Sequence, residues 1–246
     1  SDVCSSDLRH YARLLAFAPI PTRQADLPRS YRSDSPKNVQ IAVADILSQL
    51  LEETTQPSSE VIDTLLAQFL PKNVKTNQAS YLLADDVCRA SADKLQRYVA
   101  QYFAEVITST INGARNSDDD ESDSASDGPG GGRKGKGAAM DVLPSSFVTA
   151  HALIKQVNRS VPTLLLNVIP QLEEELRTDK PAYRKLATET LGAMAGEKAG
   201  QGDLALKYPS AWKAFLGRSK DKVNSVRIAF VESLPNIWIE HPELAN

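Results

Sequence analysis

Cysteine is nearly absent from this sequence: Cys4 and Cys88 are the only two in 246 residues. Two thiols cannot build a disulfide framework, and their scarcity suits a reducing compartment, cytosol or nucleus. Aromatic residues are also few, at 6%, although hydrophobic residues together reach 41%. The apolar content is therefore mostly Leu, Ala, Val and Ile, which serves helix-on-helix packing better than a β-sandwich. Long apolar runs are missing as well. A membrane span needs ~20 apolar residues, and no stretch here approaches that, so a soluble chain is expected. No charged, apolar and small-residue pattern of a signal peptide opens it.

A strong excess of either charge is lacking too, since the net charge is −3. Six acids (Asp118, Asp119, Asp120, Glu121, Asp123, Asp127) and three bases (Arg133, Lys134, Lys136) lie between Asn116 and Gly137. That segment accounts for the whole imbalance. The neutral remainder offers no broad electrostatic footprint for nucleic acid, so direct sequence-specific binding to it is not expected.

What is present is helix after helix. Residues 1–8, Ser1 to Leu8, read as the translation of a sequencing-adapter oligonucleotide and are set aside, an ordinary polar N-terminus being the alternative. Residues 9–35 form an irregular segment, broken by Pro19, Pro21 and Pro28. From Pro36, with Ser35 as an N-cap, Val39, Val43, Ile46, Leu47, Leu50 and Leu51 recur at helical steps. Further helices are predicted over about 61–70, 78–90 and 92–112, the second with Tyr81, Leu82, Val87 and Cys88, and the third capped by Ser91. Beyond Gly137 they resume at 145–159 and about 160–176, the latter capped by Ser160 and kinked at a mid-helix Pro170. A helix opening at Pro181 and two over about 210–217 and 221–240 complete a set of nine.

Between these groups, Asn116 to Gly137 has no large apolar residue. It cannot bury enough surface to offset the entropy of ordering, so disorder is expected over 113–142. It reads as an insertion between the two helices of one hairpin, with helices 36–112 and 143–246 belonging to the same solenoid. Ser117 has Asp120 three residues on, and Ser124 has Asp127. Both are candidate phosphorylation sites for an acid-directed kinase, although a plain spacer needs no modification.

A repeat distinguishes a solenoid from a bundle. Asp179 precedes Arg184, Leu186-Ala187 and Leu191, while Asp221 precedes Arg227, Ala229 and Leu234. The aspartates are 42 residues apart and the arginines 43. Helical pairs with a period near 40–47 are HEAT or armadillo repeats. In this pattern the Asp caps the second helix of a pair, and the Arg reaches an acceptor in the neighbouring turn. The fold class expected is all-α: an α-solenoid of HEAT-type hairpins with a disordered acidic and Gly-rich insert. Leu172, Leu186 and Leu191 should be buried between helices.

An enzyme needs convergent reactive groups, and none are legible. His10, His151 and His241 are scattered. His151 reads as a packed structural histidine rather than a ligand, and His241 as a helix-end imidazole. Cys88 reads as a small buried hydrophobe. Glu173-Glu174-Glu175 reads as a solvated face, because three residues in a row project round a helix. The glycines from Gly128 to Gly137 lack the frame of a phosphate loop. Arg184 and Arg227 are structural on repeat logic. Lys213, Arg218, Lys220 and Lys222 form a basic cluster able to face an acidic partner, a solvated turn being the plainer reading. No catalytic, metal or cofactor site is assigned.

Several segments in order resemble one family. They are Glu60-Val61-Ile62-Asp63, Ala92-Asp93-Lys94-Leu95 with Gln101-Tyr102-Phe103, Ala150-His151 with Leu153-Ile154, Asn167 through Leu176, Leu186 through Gly192, and Asp221-Lys222 with Val226-Arg227. The stretch from Val61 to Pro242 resembles the N-terminal HEAT region of the cohesin-associated family known as precocious dissociation of sisters. That resemblance implies a nuclear, non-enzymatic scaffold. Its implied partners are the kleisin subunit of cohesin, a wings-apart-like regulator and an acetyltransferase, and its implied role is regulating cohesin on chromatin. Arg9 to Ser35 departs from the family pattern. Another HEAT adaptor, a nuclear transport receptor or phosphatase scaffold, is the alternative; a transport receptor should have a more acidic body.

Overall fold

The computed structural model of the chain describes residues 36–115, 143–197 and 204–245, with side chains over 39–109, 143–197 and 204–243. Among the described residues there are helices and turns and no strand. The α-helices are α1 (Pro36–Glu53), α2 (Ser59–Ala67), α3 (Pro71–Thr76), α4 (Gln78–Ala90), α5 (Ala92–Arg115) and α6 (Ser145–Ser160). They continue with α7 (Ile169–Arg177), α8 (Pro181–Ala195), α9 (Leu204–Lys207), α10 (Pro209–Leu216) and α11 (Asn224–Glu240). One hydrophobic core runs without a break from Ala44 on α1 to Ile237 on α11.

The later helices stack regularly. The second helices α6, α8 and α11 lie side by side, with α8 in the middle. The first helices α7 and α10 pack in a parallel row, and α7 also packs on α8. Because α8 has neighbours on most sides, ten of its residues are buried, from Tyr183 to Ala195. Small side chains allow the close approach. Ala187 and Ala229 are fully covered, and a Cβ added at Gly192 would sit 2.4 Å from Cβ of Ser233 on α11. Leu172, Leu186 and Leu191 are all buried, as expected. Helix α5 packs on α6 and on the 3₁₀ turn Pro162–Leu165. Two hydrogen bonds strengthen this region: Gln171 Nε2 donates to Ala100 O at 3.0 Å, and the Tyr81 and Ser160 hydroxyls meet at 2.7 Å.

Several local expectations change. The predicted helix over 160–176 is two elements, because Pro162 opens a 3₁₀ turn and Pro170 stands in the first turn of α7. Pro170 therefore starts a helix, where its missing N–H costs nothing, instead of kinking one. Ser160 ends α6 and does not cap its successor. Ser91 is buried, and its hydroxyl has no hydrogen-bond partner, so it does not cap α5 through its side chain. The short α3 was not expected. On α1 the buried positions are Ala44, Leu47, Ser48 and Leu51, facing α4, while Ile41, Val43 and Ile46 are exposed. Helix α1 is apolar on two sides, and periodicity alone cannot say which side a neighbour takes. On α4, Leu82 is likewise exposed.

Candidate functional site

The charged and histidine groups held inside the solenoid are the first place to look for chemistry, and two sets of them tie one helix to another. The Arg184 guanidinium on α8 donates through Nε and Nη2 to the two carboxylate oxygens of Asp221, both at 2.9 Å. Its Nη1 donates to the carbonyls of Thr178 and Asp179, each at 2.9 Å. Asp221 also accepts the Val223 amide at 2.9 Å and Arg218 at 2.8 Å. It therefore holds the link before α11 and reaches back to the preceding hairpin, but it does not cap the helix as expected: Val223 is the N-cap residue, and no side chain caps there. Burial alone would raise the Asp221 pKa. The bonds from Arg184 and Val223, with the charges of Arg184 and Arg218, outweigh burial and hold the carboxyl below its ordinary range. Asp179 differs: it contributes its carbonyl, and its side chain is exposed. Arg227 repeats the inner half of the pattern, donating to the Asp221 carbonyl at 2.6 Å.

A second tie joins three helices. His151 on α6 is fully buried. Its Nδ1 lies 2.9 Å from Thr190 Oγ1 on α8. Its Nε2 lies 3.0 Å from Glu175 Oε2 on α7, close enough for an ion pair though not aligned as a hydrogen bond. The solvated face expected for Glu173-Glu174-Glu175 is thus corrected at one position. Glu174 is exposed, whereas Glu175 is 4% exposed. The overlooked signal is its spacing: Glu175 falls between Leu172 and Leu176 on the helix face that α6 and α8 cover. The side chains of both ties, Arg184 with Asp221 and His151 with Glu175, are almost wholly buried. Cys88 is buried, and its thiol is pushed up to about 12 by burial and by the Asp85 charge, so it is an unreactive packing group. His241 lies at the end of α11, 3.3 Å from Glu243. Among the described residues no three or more His, Cys, Asp or Glu side chains group to hold a metal ion, and no helix is long and apolar enough to cross a membrane.

Of the basic cluster, three side chains are exposed and one is engaged. Lys213 is exposed on α10, Lys220 in the 3₁₀ turn Gly217–Lys220, and Lys222 in the link to α11. Arg218 is drawn away to Asp221. Ser117, Ser124, His10 and the glycines of 128–137 lie outside the described residues, as do residues 1–35.

A feature missed in the sequence is a groove of about 660 Å³ between α2 and α5, also lined by Pro57 and Ser58. Ile62 and Tyr98 make its buried floor, Tyr102 and Val106 its half-buried wall, and Asp63 and Glu105 its exposed rim. Its residues are distant in sequence, so only the crossing of α2 over α5 assembles it.

Stacked hairpins, second helices side by side and an Arg–Asp tie between successive units define an α-solenoid of HEAT type. Residues 26–246 match the family model of the sister chromatid cohesion protein PDS5, and the chain belongs to that family. The match begins within the segment Arg9 to Ser35, so the departure expected there is confined to its first part. The chain is 33% identical over 215 residues to the fission yeast (Schizosaccharomyces pombe) sister chromatid cohesion protein pds5, covering 83% of this chain and 16% of that protein. It is 26% identical over 209 residues to human PDS5 homolog A, covering 85% of this chain and 13% of that one. In structure it resembles a chain from the Pds5–Scc1 complex, with a TM-score of 0.64 at 19% identity, covering 96% of this chain and 35% of that one. The chain therefore spans about a sixth or less of the length of these curated relatives.

Proposed function

We propose that this chain is part of a protein-interaction scaffold that regulates cohesin on chromatin and so maintains sister-chromatid cohesion. The observation that supports this best is the family match across 26–246, laid over a solenoid in which the buried Arg184–Asp221 and His151–Thr190 contacts join helices. The proposed partners are the cohesin ring, through its kleisin subunit, and a wings-apart-like regulator; the proposed location is the nucleus. The reading is non-catalytic: the ionisable groups brought together inside the solenoid join helices and are buried from solvent. Helices 36–112 and 143–246 are taken as one solenoid on either side of an inserted segment, in which Ser117 and Ser124 are candidate phosphorylation sites. With Arg218 tied to Asp221, Lys213, Lys220 and Lys222 are the charges left for an acidic partner. The test is to deplete the full-length protein from dividing cells and measure the distance between sister copies of one tagged chromosomal locus before anaphase. Increased separation, restored by the parent gene, is the expected result. Unchanged pairing after complete depletion would contradict the reading.

A further inference from the structure

We propose that the groove between α2 and α5 binds an extended segment of another protein, with an apolar side chain on Ile62, Tyr98 and Tyr102 and an arginine or lysine between Asp63 and Glu105. This rests on the interaction-scaffold reading only in taking the ligand to be a polypeptide. Charge complementarity names the occupant. Glu60, Asp63 and Glu105 stand in or beside the groove, and none of them is in an ion pair among the described residues. They act on one another: the Asp63 carboxyl is raised by burial, then by the charges of Glu105 and Glu60. The Tyr102 phenol is raised by burial, then by Asp63. The cation nearest along α5, Arg97, is engaged at one end, donating to the Tyr98 hydroxyl at 2.8 Å and lying over the Tyr98 ring. Lys94 is turned to the Glu52 carbonyl. A ligand cation would therefore relieve a local excess of negative charge, while an acidic or nucleic-acid ligand would add to it.

Two other features ask for a polypeptide rather than a small cation. The floor is apolar and aromatic, suited to one inserted side chain. Beside it begins α2, whose Ser58 side chain makes no cap. The Val61 and Ile62 amides donate to the Ser58 carbonyl, which leaves those of Ser59 and Glu60 to receive a main-chain carbonyl from a ligand. Apolar side chain, basic side chain and carbonyl are three groups that one short extended segment supplies together.

The test selects short random peptides displayed on phage against the whole 246-residue chain. Recovered peptides are then titrated by fluorescence polarisation against the parent and against Asp63→Lys, Glu105→Lys and Tyr102→Ala. The proposal expects peptides that pair a basic residue with an aliphatic or aromatic one. Each lysine variant should weaken them about tenfold or more. Asp63 and Glu105 are exposed, so both lysine variants should melt as the parent does. Three results would overturn the proposal: no peptide recovered, acidic peptides recovered, or binding indifferent to charge reversal. Deleting residues 128–137 provides a further control. About tenfold tighter binding without them would give the groove to the chain's own Arg133–Lys136 and overturn assignment to a partner. Cohesin association of the full-length protein is read separately, so either result can fail while the other stands.

Discussion

The Arg184 guanidinium presents its N–H donors in a fixed fork, and both edges are used. One edge holds the turn before its own helix through Thr178 and Asp179, and the other holds the Asp221 carboxylate in the link before α11. Arg and Asp here are 4% and 2% exposed at their side chains, so neither charge has water to fall back on. Removing one partner of such a pair leaves the other buried and uncompensated. Asp221→Ala should therefore cost about 3–5 kcal/mol in urea unfolding, and Arg184→Met with Asp221→Ala should cost less than the two singles summed. The pH dependence has a definite sign. A carboxyl held below its ordinary value stabilises the fold above the usual carboxylate pKa of about 4, and that contribution fades as pH falls through its own lower value. The melting difference between the parent and Asp221→Asn should accordingly be full at neutral pH and shrink below about pH 4. A difference independent of pH would show that the pair does not titrate as described. This tie was partly legible, because the Asp and Arg recur at matched spacing. Glu175 was legible only in its burial: its place between Leu172 and Leu176 marks the covered face, but nothing in the sequence names the distant His151 as its partner.

Between elements, the closest fit is α8 on α11. A Cβ at Gly192 would collide with Ser233 at 2.4 Å for Cβ and 2.7 Å for Oγ, and one at Gly196 would stand 2.9 Å from Asn236 Cβ. Alanine is the better helix former by about 1 kcal/mol, so an exposed helical glycine would gain from the change. Here the collision should prevail. Gly192→Ala is expected to destabilise by about 1–3 kcal/mol, as overpacking does, with the loss visible in the chemical melting midpoint. A stabilised Gly192→Ala would mean that the two helices are not in contact there. Helix positions along the chain were mostly readable from proline and apolar spacing. The failures have physical causes. Helix α1 carries apolar residues on two faces, and only α4 decides between them. Pro162 and Pro170 divide what periodicity joins, since the apolar rhythm of Leu165, Ile169, Leu172 and Leu176 continues across the break.

At the scale of the molecule, the solenoid was legible because a spacing of 42–43 residues repeats, whereas the α2–α5 groove was not, because no local pattern records how two helices cross. The core that spans both sides of residues 116–142 gives a prediction about that segment. Closing a loop costs only ~0.6 kcal/mol more for each doubling of its length. Replacing Asn116–Gly137 with a short Gly/Ser linker should therefore leave one cooperative thermal transition at a similar midpoint. Two transitions in the parent, one from each flank, would divide the solenoid there. The most direct measurement is to tag the full-length protein at its natural locus, purify it under native conditions and identify what accompanies it by mass spectrometry. Cohesin subunits, the kleisin among them, are the expected companions. Transport cargo or phosphatase subunits recovered without cohesin would contradict the assignment.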